Sequence, residues 1–133
     1  MPKELGVAVV GSGRIGSLRA RLAARHPAVS FLAVSDRDAG RARALAERTG
    51  ANAHSSNNRE MISRPEVNAV IVSTSEHQHV EPVCQALELG KPVLMEKPLG
   101  LTLQDADEIL AAVQRTGGDL RVGYIRRFKR CFA

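Results

Sequence analysis

A chain of 133 residues is long enough to bury one core and too short for two full-sized domains. Apolar residues make up 44% of it, no apolar run reaches the eighteen residues of a membrane span, and the N-terminus leads into an apolar strand without a signal peptide's regions, so a cytoplasmic globular protein is expected. The net charge of +5 hints at nucleic acid, but Arg126, Arg127, Lys129 and Arg130 crowd the last eight positions; taking those four from the 19 basic residues leaves 15 against 14 acidic, and with 3% aromatics the body offers neither a basic face for a duplex nor stacking platforms for single strands.

In chain order, Val7 to Val10 form the short continuous apolar run of a strand buried on both faces. That strand runs into Gly11-Ser-Gly13-Arg14-Ile15-Gly16, the glycine spacing of a dinucleotide-binding turn: Gly11 for the tight turn, Gly13 for close approach to a pyrophosphate, Gly16 for close packing of helix on strand. Ile15, Leu18 and Leu22 then recur as the apolar stripe of a helix, whose N-terminal amides and dipole would face the phosphates. Gly11, Gly13, Arg14, Ile15 and Gly16 are therefore candidate cofactor-binding positions.

Val29 to Val34 make a second strand, and Asp36 lies twenty residues beyond Gly16, where a carboxylate can accept both ribose hydroxyls. A carboxylate there repels a 2'-phosphate and argues for NAD; Arg37 beside it keeps NADP open, since it can hold such a phosphate, stack on adenine, or simply be a solvated charge.

Arg41 to Arg48 reads as a helix with Ala42, Leu45 and Ala46 inward and Gly50 ending it. A weak strand over Ala51 to His54 precedes a short helix that Asn57 could cap, with Glu60 reaching back in a capping box. Ala69 to Val72 is a buried strand, followed by a helix around Val83 to Leu89 that tolerates Pro82 in its first turn and stops at Gly90. Pro92 to Met95 is a fifth strand. Thr102 can cap a helix through Ile109, Leu110 and Val113, which Gly117 and Gly118 end before a strand at Leu120 to Val122. Six strands alternating with about five helices predict a doubly wound α/β domain with a parallel sheet.

Two cysteines, Cys84 and Cys131, make neither a disulfide framework nor a metal site, and no metal is expected. Cys84 shares a helical stripe with Val80, Val83 and Leu87, which reads as a buried inert thiol.

Two polar segments follow strands, where open α/β sheets bind ligands: Ser73-Thr74-Ser75-Glu76-His77-Gln78-His79 and Glu96-Lys97-Pro98. Together with GSGRIG, Asp36 and the closing Gly123-Tyr-Ile-Arg-Arg-Phe, they resemble the Gfo/Idh/MocA oxidoreductase family, near its inositol dehydrogenase branch, over essentially the whole chain. The resemblance implies an NAD(P)-binding Rossmann domain over residues 1–123, with 124–133 beginning the connection to a substrate domain. It implies that Lys97 is the catalytic residue, pointing at substrate beside the nicotinamide. It further implies that Ser73, Thr74, Ser75, His79, Glu96, Lys97 and Pro98 line the cofactor, and that Arg127 joins Lys97 at the substrate, although a solvated tail is the plainer reading of Arg127. Glu76 departs from the asparagine frequent at its position, and Cys131 from a polar residue or glycine.

Family members are more than twice as long, and their second half, an α/β domain with a large open sheet, supplies further acid-base groups. Three readings follow: the cofactor half of a sugar or polyol dehydrogenase, inactive by itself and homo-oligomeric when complete; a stand-alone NAD(P)-binding sensor or subunit; or an interaction protein using its basic tail. The first is the expectation, with no nucleic-acid or membrane partner.

Overall fold

The computed structural model describes residues 4–75, 78–97 and 101–123. In order, the elements are β1 (Leu5–Val10), α1 (Arg14–Arg25), β2 (Val29–Ser35), α2 (Ala39–Thr49), β3 (Ala53–Ser55), α3 (Asn58–Ile62), β4 (Ala69–Val72), α4 (Val80–Glu88), β5 (Val93–Glu96), α5 (Leu103–Thr116) and β6 (Leu120–Gly123). The six strands form one parallel sheet in the order β3-β2-β1-β4-β5-β6. This is a Rossmann-like α/β domain. The winding reverses between β1 and β4, so their carboxyl ends open a crevice of the kind in which such sheets hold ligands.

Two apolar layers sandwich the sheet. On one face, Val7, Val9, Leu32 and Val34 meet Ala20 and Ala23 of α1 and Leu45 and Ala46 of α2. On the other, Ala8, Val10, Val70, Val72, Val93 and Met95 meet α3, α4 and α5 through residues such as Ile62, Leu87 and Ile109. Alternate residues of β1 thus enter opposite layers, and the strand needs the unbroken apolar run seen in the sequence because both of its faces are covered. Among the described residues, the β4 and β5 half of the first face carries an apolar groove of about 260 Å³, bordered by Leu5, Ala69, Ile71 and Leu94.

The helix ends follow local chemistry. Asp38 caps α2 by accepting from Gly40 and Arg41 amides at 2.9 and 3.2 Å, and Thr102 Oγ1 accepts from Asp105 N–H at 3.1 Å. At the other end Gly50 takes the left-handed conformation, φ 71°, as the helix-ending glycine of α2.

Three local expectations change. The apolar stripe of α1 is not Ile15, Leu18 and Leu22: Leu18 and Leu22 are 44% and 59% exposed, while Gly16, Ala20 and Ala23 face the sheet. The helix lies too close to the strands to admit leucine. On α5, Leu110 likewise points outward, and Ile109 and Ala112 fill the core. At α3, Asn57 does accept from Arg59 and Glu60 amides, but Glu60 does not reach back to the Asn57 amide. Ser55 stands between them, its oxygen accepting from Asn57 N–H at 2.9 Å while its hydroxyl donates to Glu60 at 3.1 Å.

Urea unfolding distinguishes the two stripes. Leu22→Ser is expected to stay within about 0.5 kcal/mol of the parent chain, as an exposed substitution does. Ile109→Ala should cost about 2–5 kcal/mol, as a core truncation does.

Candidate cofactor site

β1 delivers the chain to the crevice, and the turn beyond it is fixed from three sides. Gly11 N–H donates to the Ser35 carbonyl of β2 at 2.8 Å, Ser73 N–H beyond β4 donates to the Val10 carbonyl at 2.7 Å, and Ser17 Oγ of α1 donates to the Ser12 carbonyl at 3.1 Å. The three glycines then differ in what they permit. Gly11 has φ +99°, and a Cβ there would sit 2.6 Å from the Ser73 carbonyl oxygen. A Cβ on Gly16 would sit 1.8 Å from the Gly11 carbonyl oxygen, which is why α1 can lie so close. At Gly13 a Cβ would meet nothing within 4 Å. At Gly13 the protein itself supplies no obstacle, and the position borders the cleft, as a site of close ligand approach requires.

Asp36 closes one side. Its Oδ2 accepts from Ser12 N–H and its Oδ1 from Asp38 N–H, both at 2.8 Å. Two backbone amides therefore aim the carboxylate. Ser12 itself is buried, with its hydroxyl on the Ser35 carbonyl at 3.2 Å. The sequence reading passed over Ser12, whose contribution depends on contacts to β2 that no local pattern reveals.

Gly11, Gly13, Asp36, Arg37, Ser73, Thr74 and Ser75, all singled out from the sequence, line one cleft of about 690 Å³ together with Gln78 of the same polar loop, and Asp38, Arg41 and Asn58 join them unforeseen. Asp38 and Arg41 belong to the first turn region of α2, which the motif spacing alone could have placed there. Asn58 lies on α3, and only the fold brings it in. The Ser73 Oγ, Thr74 Oγ1 and Asn58 Oδ1 atoms are buried without a hydrogen-bond partner among the described residues. Helix α1 opens onto the turn with neither a side-chain cap nor an acidic residue in its first turn. Open space at Gly13, unpaired acceptors and donors, and a bare helix N-terminus all suit a phosphate-bearing dinucleotide.

His79 is not on the cleft surface. Its ring is 1% exposed, and Nε2 lies 2.7 Å from the Thr74 carbonyl oxygen, so it braces the loop from beneath. Arg14 is exposed at the start of α1 and Ile15 half-buried. Glu96 ends β5 with its carboxylate on the Arg19 guanidinium of α1, a pair 13% and 22% exposed. Lys97 follows it, exposed and without a partner among the described residues. Glu76, His77, Pro98, Arg126, Arg127, Lys129, Arg130 and Cys131 lie outside the described residues.

A second groove of about 800 Å³ between α3, α4 and α5 shares Arg37, Asn58 and Gln78 with the cleft. Cys84 borders it and is half-buried rather than fully buried. Burial pushes its thiol up, and the carboxylates of Glu88 and Glu108 add to the rise while Arg115 opposes it. Among the described residues no cluster of His, Cys, Asp or Glu is arranged to hold a metal, and no helix is long and apolar enough to cross a membrane.

Comparison with known proteins fits this geometry. Residues 5–124 match the Gfo/Idh/MocA profile, described as an oxidoreductase family with an NAD-binding Rossmann fold. The chain belongs to the Gfo/Idh/MocA oxidoreductase family. It is 33% identical over 134 residues to scyllo-inositol 2-dehydrogenase (NAD(+)) of Bacillus subtilis, covering 100% of this chain and 39% of that protein. It is also 33% identical over 126 residues to myo-inositol 2-dehydrogenase of Thermotoga maritima, covering 95% and 38%. Among solved structures, myo-inositol dehydrogenase of Lactobacillus casei, in complex with NAD(H) and myo-inositol, superposes with a TM-score of 0.86 at 28% identity, covering 96% of this chain and 38% of that one. The chain thus spans about two fifths of the length of these family members.

Two outcomes check the site's construction. Gly16→Ala, which in an ordinary helix interior would gain about 1 kcal/mol, is expected to lose about 2 kcal/mol or more in thermal or urea unfolding, because its Cβ meets the Gly11 carbonyl. Peptide-resolved alkylation at pH 8 should find Cys84 slower than a free cysteine. Because its folded pKa is raised, the stability it contributes is complete below the unfolded thiol's value and is lost as pH rises through the folded one.

Proposed function

We propose that this chain is the cofactor half of a nicotinamide-dependent oxidoreductase acting on a secondary hydroxyl of a sugar, inositol or related polyol. The observation that carries the reading is the cleft itself: a carboxylate aimed by two backbone amides on one side, and on the other a glycine turn whose middle position faces open space. The named activities of the relatives support the substrate class.

On this reading the amides at the start of α1, with Gly11, Gly13, Arg14, Ile15 and Gly16, hold the pyrophosphate, and Asp36 accepts from the adenosine ribose hydroxyls. Ser73, Thr74 and Ser75 offer hydroxyls and backbone groups along the β4 side, with His79 fixing Thr74 from below. Arg37 lies where both grooves meet and serves the adenine end. The bound nicotinamide supplies a hydride acceptor. Lys97, at the carboxyl end of β5, would hydrogen-bond the reacting hydroxyl and stabilise the alkoxide charge on its oxygen as the hydroxyl proton passes to an acid-base group of the complete enzyme's second domain and the hydride leaves carbon for the nicotinamide. On the same reading Pro98 belongs to the cofactor-lining set, and Arg127 serves the substrate end. Residues 1–123 form the cofactor domain, 124–133 begin the connection to a substrate domain, and the complete enzyme is a homo-oligomer in the cytoplasm.

Asp36 favours NAD, since its fixed negative charge opposes a 2'-phosphate. Calorimetric titration is expected to show NADH binding at least about tenfold tighter than NADPH, a difference of about 1.4 kcal/mol. Absence of binding by both overturns the cofactor reading, and a preference for NADPH overturns the role of Asp36. Lys97→Ala is expected to leave NADH affinity within about twofold while lowering turnover of the complete enzyme by about a hundredfold or more, the usual range for losing a positioned acid-base group.

A further inference from the structure

The Glu96 carboxylate is the last side chain of β5, directly before Lys97, and it is held by a residue 77 positions away. Arg19 reaches it from the second turn of α1, the helix that begins at the glycine turn. Both side chains are mostly buried, at 22% and 13% exposure. Register pairs Glu96 with Gly123 at the end of β6, and a Cβ on Gly123 would sit 3.1 Å from an Arg19 guanidinium nitrogen and 3.8 Å from the Glu96 carboxylate. One guanidinium therefore packs over the ends of β5 and β6, in space that a larger residue at Gly123 would take. The other ion pairs join exposed or only half-buried side chains, such as Arg43 to Glu47 or Arg121 to Asp119. Exposed pairs of that kind contribute little. A mostly buried, charge-assisted pair between distant elements fixes geometry, because breaking it strands a charge away from water.

We infer that Arg19 is a positioning residue for Lys97: through Glu96 it locks the end of β5 to α1, and so sets where the lysine stands relative to the turn that receives the cofactor's phosphates. The inference rests on the site proposed above. Lys97 is exposed and has no partner of its own among the described residues, so its position depends on the backbone that carries it. That backbone is anchored on the first face of the sheet by Arg19 and on the second by Met95, which is fully buried among α4 and α5 neighbours. If the anchor on the α1 side is released, the cofactor can still bind, since the hydrogen bonds that fix the glycine turn and Asp36 do not involve the pair. What changes is the alignment of Lys97 with it. Small displacements of this kind are costly in a site that works by orientation.

The test is acylation of Lys97 by an amine-directed reagent, followed by peptide mass mapping with and without saturating NADH. Lys91 is the internal reference: it lies at the opposite end of β5, with its ammonium 2.5 Å from the Ile62 carbonyl oxygen and 3.1 Å from that of Arg64. In the unaltered chain NADH should slow Lys97 acylation about fivefold, as for a side chain largely covered by ligand. In Arg19→Met the protection is expected to fall below about twofold, while NADH affinity stays within about threefold. Glu96→Gln, nearly isosteric and without the charge pair, should show the same loss, which keeps the test open if Arg19→Met fails to fold. Arg19→Lys retains one charged donor and should recover part of the protection. A role in stability alone would lower the melting temperature but leave protection at saturating NADH intact. Equal protection in all four proteins overturns the inference and leaves the cofactor site standing, whereas failure of the unaltered chain to bind NADH overturns both.

Discussion

The closeness of α1 to the first turn governs the domain. Gly16 brings the helix to within a distance at which any side chain would run into the Gly11 carbonyl, and the rest of the helix has to follow the same line of approach. Only Gly16, Ala20 and Ala23 fit between α1 and the sheet, so burial on this face comes from many small contacts rather than from leucine side chains. The benefit of that arrangement is directional. A helix this close places its first amides at the turn, and Ser17 ties it to the Ser12 carbonyl so that turn and helix move as one body.

From that body the site is built outward by backbone groups. Ser12 presents its amide to Asp36, Asp36 takes a second amide from Asp38, and Asp38 in turn caps α2. A single acidic run thus joins the glycine turn to the second helix. The carboxylates at the crevice are held chiefly by N–H donors, with Arg41 set against Asp38 at 4.0 Å, and Arg37 and Arg41 both lie on the cleft lining. The opposite wall uses neutral groups. Ser73 and Thr74 have buried hydroxyls with no partner among the described residues, an arrangement that is expensive unless a bound molecule satisfies it.

Much of this could be read from residues alone, and the boundary is physical. Strands β1, β4 and β5 were legible as short continuous apolar runs, which β1 needs because both of its faces are covered. Caps at Asn57 and Thr102, the stop at Gly50 and the cluster of Gly11, Gly13, Asp36 and Ser73 to Ser75 are likewise local or motif-spaced. The inward face of α1 was not, because Ile15, Leu18 and Leu22 and the true stripe of Gly16, Ala20 and Ala23 are both helical stripes. Periodicity reports that a helix has an apolar side without reporting how near its neighbour lies, and at short range the small residues win. Ser12, Asn58 and the pairing of Arg19 with Glu96 depend on contacts between elements 20 to 77 residues apart, for which one sequence carries no signal.

The strand order explains why the candidate lysine lies where it does. The crevice opens between β1 and β4, and β5 is the next strand out, about 4.8 Å beyond β4. A residue just past the end of β5 is therefore one strand's width from the cleft wall formed by Ser73 and Thr74, within reach of a long side chain without standing in the phosphate path. A residue past β6 would be two strand widths away and would need a loop to return. The fold offers few positions that combine this reach with a rigid base, and Glu96 and Lys97 occupy one of them, with the glutamate turned toward α1 and the lysine exposed. Adjacent residues at a strand end thus divide the work, one fastening the backbone to the helix that begins the site and the other remaining available for chemistry.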